Sequence, residues 1–233
     1  MIRAYLSFSI MVFVGLSQLV SAAELQWDSF HDPKTVFLTD PFAKSIATLP
    51  ESQKVEAMQR LEEALKSTEP EVRRRAALAL GALGDKRGVP VMIADMSAAT
   101  GRDRDNVVVA LRILKDRRAI PTLREALKDK SPYVRSIALG ALGEMKASEA
   151  YADIVAHTKD KERDGGCIPS SPAHLACYAL GALDDSRAIP VLIDLLTDND
   201  LQGPATQALE VLTKQKFGYD TNKWMEWWKH QRP

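Results

Sequence analysis

Cysteine is almost absent from this chain: Cys167 and Cys177 are the only two in 233 residues. They do not form a Cys-x-x-Cys pair, which excludes the usual redox motif. With His174 between them they would offer only three ligands at a spacing that matches no common zinc site. Charge of one sign is also missing, with 31 basic residues against 31 acidic ones. Leaving out Arg3, in the apolar leader, gives 30 against 31 and a formal charge of −1. Binding to a polyanion relies on many lysines and arginines displacing counterions, so nucleic acid is not an expected partner. There is no Gly-x-Ser-x-Gly, no phosphate-binding glycine loop and no zinc-type His-Glu-x-x-His. Acid pairs such as Glu62-Glu63 and Asp184-Asp185 read as solvated helix turns rather than general acid–base groups. The expectation is a chain without catalytic residues, metal or cofactor.

What is present is a repeat. In the stretch from Val72 to Met92, Ala76, Ala79, Leu80 and Leu83 fall on one helical stripe that must be buried against another element. Gly84 and Asp85 end that helix, and Pro90 sits where a second begins, since a first turn does not use the amide hydrogen that proline lacks. Sliding the pattern along the chain carries Leu80 onto Leu111, Leu142, Leu180 and Leu209, in steps of 31, 31, 38 and 29 residues. Alanine precedes each of these leucines, at 79, 110, 141, 179 and 208, so helix backbones should approach closely there. Self-similarity at this period is the signature of a stacked solenoid.

The motif Val-Arg, small residues, Leu-Gly-Ala-Leu-Gly-Asp and then Arg-Ala-Ile-Pro resembles the short HEAT-like repeat of the phycobilin-lyase type, over about Glu51 to Lys214. The resemblance implies an all-α fold, an α-α superhelix of about five helical hairpins. It also implies that the first helix of each pair lies on the convex side and the second lines the concave side. An Asp–Arg ladder along the corners is implied too, at Asp85 and Arg87, Asp116 and Arg118, and Asp185 and Arg187. Iron-dependent hydroxylases on HEAT-like repeats use His-Glu pairs. Here His31, His157, His174 and His230 are followed by Asp32, Thr158, Leu175 and Gln231, so that chemistry does not carry over.

Residues 1–22 have Arg3 as their only charge, an apolar run from Tyr5 to Leu16 and small residues at the end, the pattern of a secretory signal peptide cleaved after Ala22 or Ala23. The run is shorter than the ~20 residues that span a bilayer, so no stable membrane insertion is expected after its removal. An exported chain, periplasmic or secreted, follows. Residues 23–50, with Trp27, Phe30, Phe37 and Phe42 among Asp-Pro turns, read as an irregular N-terminal strap, the alternative being an arm that docks on a partner. The repeats occupy residues 51–213, beginning with a capping helix on Val55, Met58, Leu61 and Leu65.

Arg73, Arg104 and Arg135 recur at the repeat step and should form a column, either a solvated edge with local pairing or a stripe for an acidic ligand. The long step between Leu142 and Leu180 holds an insertion at 159–171, charged and then rich in glycine, proline and serine. In an exported chain the lone pair Cys167 and Cys177 is most simply a disulfide pinning that insertion; unpaired thiols are the alternative. Residues 214–233 form a C-terminal cap, whose Trp224, Trp227 and Trp228 share one helical face; they either cover the last apolar surface or offer an aromatic platform for sugars or peptides. The function expected is a non-enzymatic, exported scaffold that binds another protein or peptide through its concave side, at Val91, Thr122, Arg124, Tyr151, Val191 and Asp194. The alternative is an enzyme or enzyme-accessory subunit with a pocket at the insertion and His174.

Overall fold

The structure is a computed structural model that describes Trp27, residues 39–163 and residues 171–231; the leader, most of the strap and Cys167 lie outside the described residues. Twelve α-helices follow one another among the described residues. Helices α1 (Thr39–Ala47) and α2 (Glu51–Ala64) form an opening pair. Five hairpins succeed it: α3 (Pro70–Ala82) with α4 (Val89–Ala98), α5 (Arg102–Leu114) with α6 (Ile120–Ala126), α7 (Pro132–Glu144) with α8 (Tyr151–Ala156), α9 (Pro172–Ala182) with α10 (Ala188–Leu195), and α11 (Gln202–Thr213) with α12 (Thr221–Gln231). No strand occurs among the described residues. The all-α solenoid is therefore as expected.

Residues 39–47, expected to be irregular, are helical and pack on α3. Asp40-Pro41 reads as a turn in isolation, yet Pro41 stands in the first turn of α1, where its missing amide hydrogen costs nothing. Trp27 meets the Phe42 ring edge-on at 5.2 Å and takes the Arg60 guanidinium over its face at 5.4 Å.

The punctuation of the hairpins is local. Gly84, Lys115, Lys146, Asp184 and Lys214 all take positive φ just past the ends of α3, α5, α7, α9 and α11, terminating each in a left-handed turn. After Gly84, Lys115 and Asp184 comes an aspartate whose carboxylate accepts the amide two residues on, at 2.9 Å for Asp85 and Arg87, 2.9 Å for Asp116 and Arg118 and 3.0 Å for Asp185 and Arg187. Each arginine also binds the same carboxylate and reaches the preceding repeat. Arg87 meets Glu62 at 2.6 Å, Arg118 donates to the Lys86 carbonyl at 3.0 Å, and Arg187 lies 4.5 Å over the Tyr151 ring.

Hydrogen bonds from Arg118 hold the Asp116 carboxyl at about 2, below its ordinary 3.8, and the same partnership lowers Asp85 and Asp185. A carboxyl depressed by folding stabilises the native state above its unfolded pKa and loses that contribution as pH falls through the folded one. Stability should therefore drop between about 3.8 and about 2. In urea titrations at either end of that window, Asp116→Asn should show a smaller drop than the parent; an equal drop would remove the corner from the account.

The stack has two layers. The first helices, α3, α5, α7, α9 and α11, run side by side with their backbones in close approach along the whole series. The second helices approach one another comparably only at α10 and α12. Small residues are the cause: a Cβ on Gly143 would stand 2.7 Å from the Ala179 Cα, and one on Gly181 2.7 Å from the Ala208 Cα. The second helices instead project Met92, Leu123, Ile154 and Leu192, all fully buried, into the interior. In a curved stack the more closely spaced layer is the inner one. The first helices are thus the inner layer, the reverse of what the resemblance implied.

This spacing gives a paired test. Gly181→Ala forces backbone apart and should destabilise by about 1–3 kcal/mol. Gly140→Ala, whose new methyl would meet only the movable Arg112 guanidinium at 3.4 Å, should stabilise by up to ~1 kcal/mol through helix propensity. Equal shifts in denaturant midpoint would contradict the close approach.

Candidate functional site, the inner face of the first helices

Helix α5 contains Val107, Val108, Val109, Leu111, Ile113 and Leu114, apolar nearly all round. Val108, Leu111 and Leu114 point into the core, which leaves Val109 and Ile113 on the opposite side, with Ile113 56% exposed. The positions equivalent to Val109 and Ile113 carry Tyr178 on α9 and Val211 on α11, while on α7 they hold Gly140 and Glu144, and the apolar side chains beside them come from the half-buried Tyr133 and the buried Ile137. Tyr178 is 40% exposed and Val211 56%. A discontinuous apolar stripe thus crosses the inner face. Between α5 and α7 it deepens into a groove of about 470 Å³ lined by Val109, Ile113, Tyr133 and Ile137.

One charged cluster borders the groove. Arg112 donates to Glu144 at 2.8 Å and Lys115 lies 3.0 Å from the other carboxylate oxygen. Burial by itself would raise the Glu144 carboxyl, but the hydrogen bonds from Arg112 and Lys115 outweigh it and hold the group below its ordinary value. The groove keeps an ionised carboxylate and two cations at its rim. Its centre is apolar and its margin charged.

The contact residues expected on the second helices are placed otherwise. Val91, Thr122 and Val191 are half-buried in the outer layer. Arg124 pairs with Asp153 of the next repeat at 2.6 Å, and the Tyr151 hydroxyl donates to the Arg187 carbonyl at 2.8 Å. Asp194 is exposed at the end of α10, where its carbonyl receives the Thr197 hydroxyl.

The arginine column is structural in its contacts. Arg73 grips Asp95 and the carbonyls of Ser67 and Thr68 at 2.7–3.1 Å. Arg104 binds Asp129 and the carbonyls of Met96 and Ala99, and Arg135 binds Asp160, Glu162 and the carbonyls of Asp129 and Lys130. Each guanidinium satisfies backbone carbonyls left open where the preceding second helix ends. Local pairing accounts for the column.

At the insertion, Lys161 and Arg163 reach Asp198 and Asp200 of the following repeat at 2.6 and 3.2 Å. His174 Nδ1 is 2.8 Å from Ser171 Oγ, and Nε2 is 3.6 Å from Asp200. Serine, histidine and aspartate are thereby brought together, but Ser171 is fully buried at the start of α9, so its hydroxyl has no open approach. Cys177 is a free, fully buried thiol, and burial pushes it up to about 12. Its expected partner Cys167 lies outside the described residues, so the bridge is not seen here.

At the far end Trp224 is fully enclosed, with its indole N–H donated to the Gly218 carbonyl at 2.8 Å. Trp227 packs on it and Trp228 on Trp227, and both remain partly exposed. Among the described residues no helix is long and apolar enough to cross a membrane.

The family model for HEAT repeats matches residues 42–112 and 97–165, and the model for the PBS lyase HEAT-like repeat matches residues 174–198. No curated protein matches in sequence. Among solved structures the chain is similar to the complex of CpcE and CpcF of phycocyanin lyase from Nostoc sp. PCC7120, at 24% identity and a TM-score of 0.54, covering 78% of this chain and 68% of that one. These findings correct two expectations from the sequence, that the chain is a non-enzymatic scaffold and that it is no enzyme. A lyase-type repeat and a lyase complex as structural neighbour favour the alternative, an enzyme or enzyme-accessory subunit. The sequence put that alternative second because a repeat motif states how helices stack and carries no catalytic signature.

Proposed function

The chain belongs to the HEAT-repeat family, and from that premise we propose that it is an enzyme-accessory subunit that holds a protein partner on the inner face of its first helices. One observation carries the reading: Ile113, Tyr178 and Val211 keep 56%, 40% and 56% of their surface exposed on one face of the stack. Exposed apolar side chains aligned in this way mark an interaction surface. The structural neighbour is itself a complex of two named chains, which supports a protein as the occupant.

The test is copurification from the native host with a tagged chain. Ile113→Glu and Tyr178→Glu should remove the captured enzyme component while changing stability by no more than about 0.5 kcal/mol, as is usual at exposed positions. Arg124→Glu, in the outer layer, should leave it in place. The opposite pattern would reject the inner face as the docking surface.

The basic start and short apolar run further support an exported subunit. Mass spectrometry of the chain from the cell envelope should then find an N-terminus at Ala23 or Glu24. An intact Met1 on a cytoplasmic chain would reject export.

A further inference from the structure

We propose that the cleft beside the terminal helix is a binding site for a neutral saccharide. Covering the last hairpin requires one tryptophan, and Trp224 does this with its ring fully enclosed and its N–H satisfied. Trp227 and Trp228 are not needed for that purpose in full. Their rings, 6.3 Å apart at an interplanar angle of 33°, remain partly accessible along one wall of a cleft of about 580 Å³. That is the size of a small-ligand site. Leu212 continues the apolar surface beneath them, while Asp184, Ser186 and Gln231 bring a carboxylate, a hydroxyl and an amide to the rim.

The composition selects the ligand. A pyranose presents one apolar face of C–H groups, which packs on an indole, and a margin of hydroxyls, each a donor and an acceptor. A carboxylate, a hydroxyl and a carboxamide answer that margin in both senses. Charge selection is weak, because Lys146 lies 3.3 Å from Asp184 and neutralises it, with both side chains well exposed. Neither an anion nor a cation finds an uncompensated partner there. The site lies at the end of the stack and does not share residues with the inner-face groove. A saccharide and a docked protein would occupy the chain independently.

Cellohexaose, maltohexaose and chitohexaose, titrated into the purified chain by calorimetry and followed by tryptophan emission, test this. At least one should give saturable binding with a shift in emission. Trp228→Ala should weaken that binding by about tenfold or more, and Gln231→Ala, at an exposed position, should weaken it severalfold with an unchanged melting curve. If Trp228→Ala melts early, Trp228→Phe keeps an aromatic wall and should bind with intermediate affinity. No saturation with any of the three at millimolar concentration, binding that survives both substitutions unchanged, or saturation instead by tetramethylammonium would overturn the assignment.

Discussion

Trp224→Ala should destabilise the C-terminal half of the stack by about 3–5 kcal/mol, the range for deleting a large, fully buried ring. The side chain is 0% exposed and is held from several directions. Phe217 meets it edge-on at 4.9 Å, Trp227 stands at 6.2 Å, and its N–H is bound to the Gly218 carbonyl. Removing the ring leaves a cavity and an unpaired carbonyl together. For a domain of this size the melting temperature should fall by roughly 10 °C. A solenoid is held by neighbour contacts, so the loss should be local. Amide exchange should accelerate first in α10 and α11 and last in α3. A melting curve like that of the parent would mean that α12 does not cap the stack.

The second large effect is expected at Arg135. Its side chain is only 9% exposed, and it binds Asp160, Glu162 and two backbone carbonyls at once. Burial alone would disfavour the charged form, but the hydrogen bonds to Asp160 and Glu162 more than compensate and raise the guanidinium above its ordinary value. Arg135→Met removes the cation and leaves the Asp160 carboxylate and both carbonyls without their donor. The cost should be about 3 kcal/mol, as for one half of a buried pair. Arg124→Met gives the contrast. Arg124 and Asp153 are 44% and 37% exposed, so water and salt screen the pair and its loss should cost at most ~1 kcal/mol. Denaturant titrations of the two variants should differ accordingly. Similar midpoints would show that Arg135 is replaceable by water, and a double-mutant cycle with Asp160→Asn would then find no coupling.

Both effects concern features half-visible in the sequence. The three tryptophans at helical spacing announce a terminal helix, but which of them is enclosed depends on where α12 lands on α10. The recurrence of Arg73, Arg104 and Arg135 announces a column, but its acceptors include carbonyls, which no residue type reveals. The inner face was legible in principle. Helix α5 has more apolar residues than one buried stripe can use, and a helix apolar on both sides has something to bury on both. Reading only the core stripe hid it.

By itself the sequence determined the repeat and its hairpins, because helix stripes, proline starts and Asp–Arg corners are short-range and act through each segment's own backbone. It also determined that successive first helices could come close, since alanine and glycine leave room. Only the tertiary structure decided which layer became the inner one and which apolar residues stayed uncovered there. Curvature is the physical reason: it arises from the difference in spacing between two layers summed over the whole stack, a quantity that no single hairpin contains.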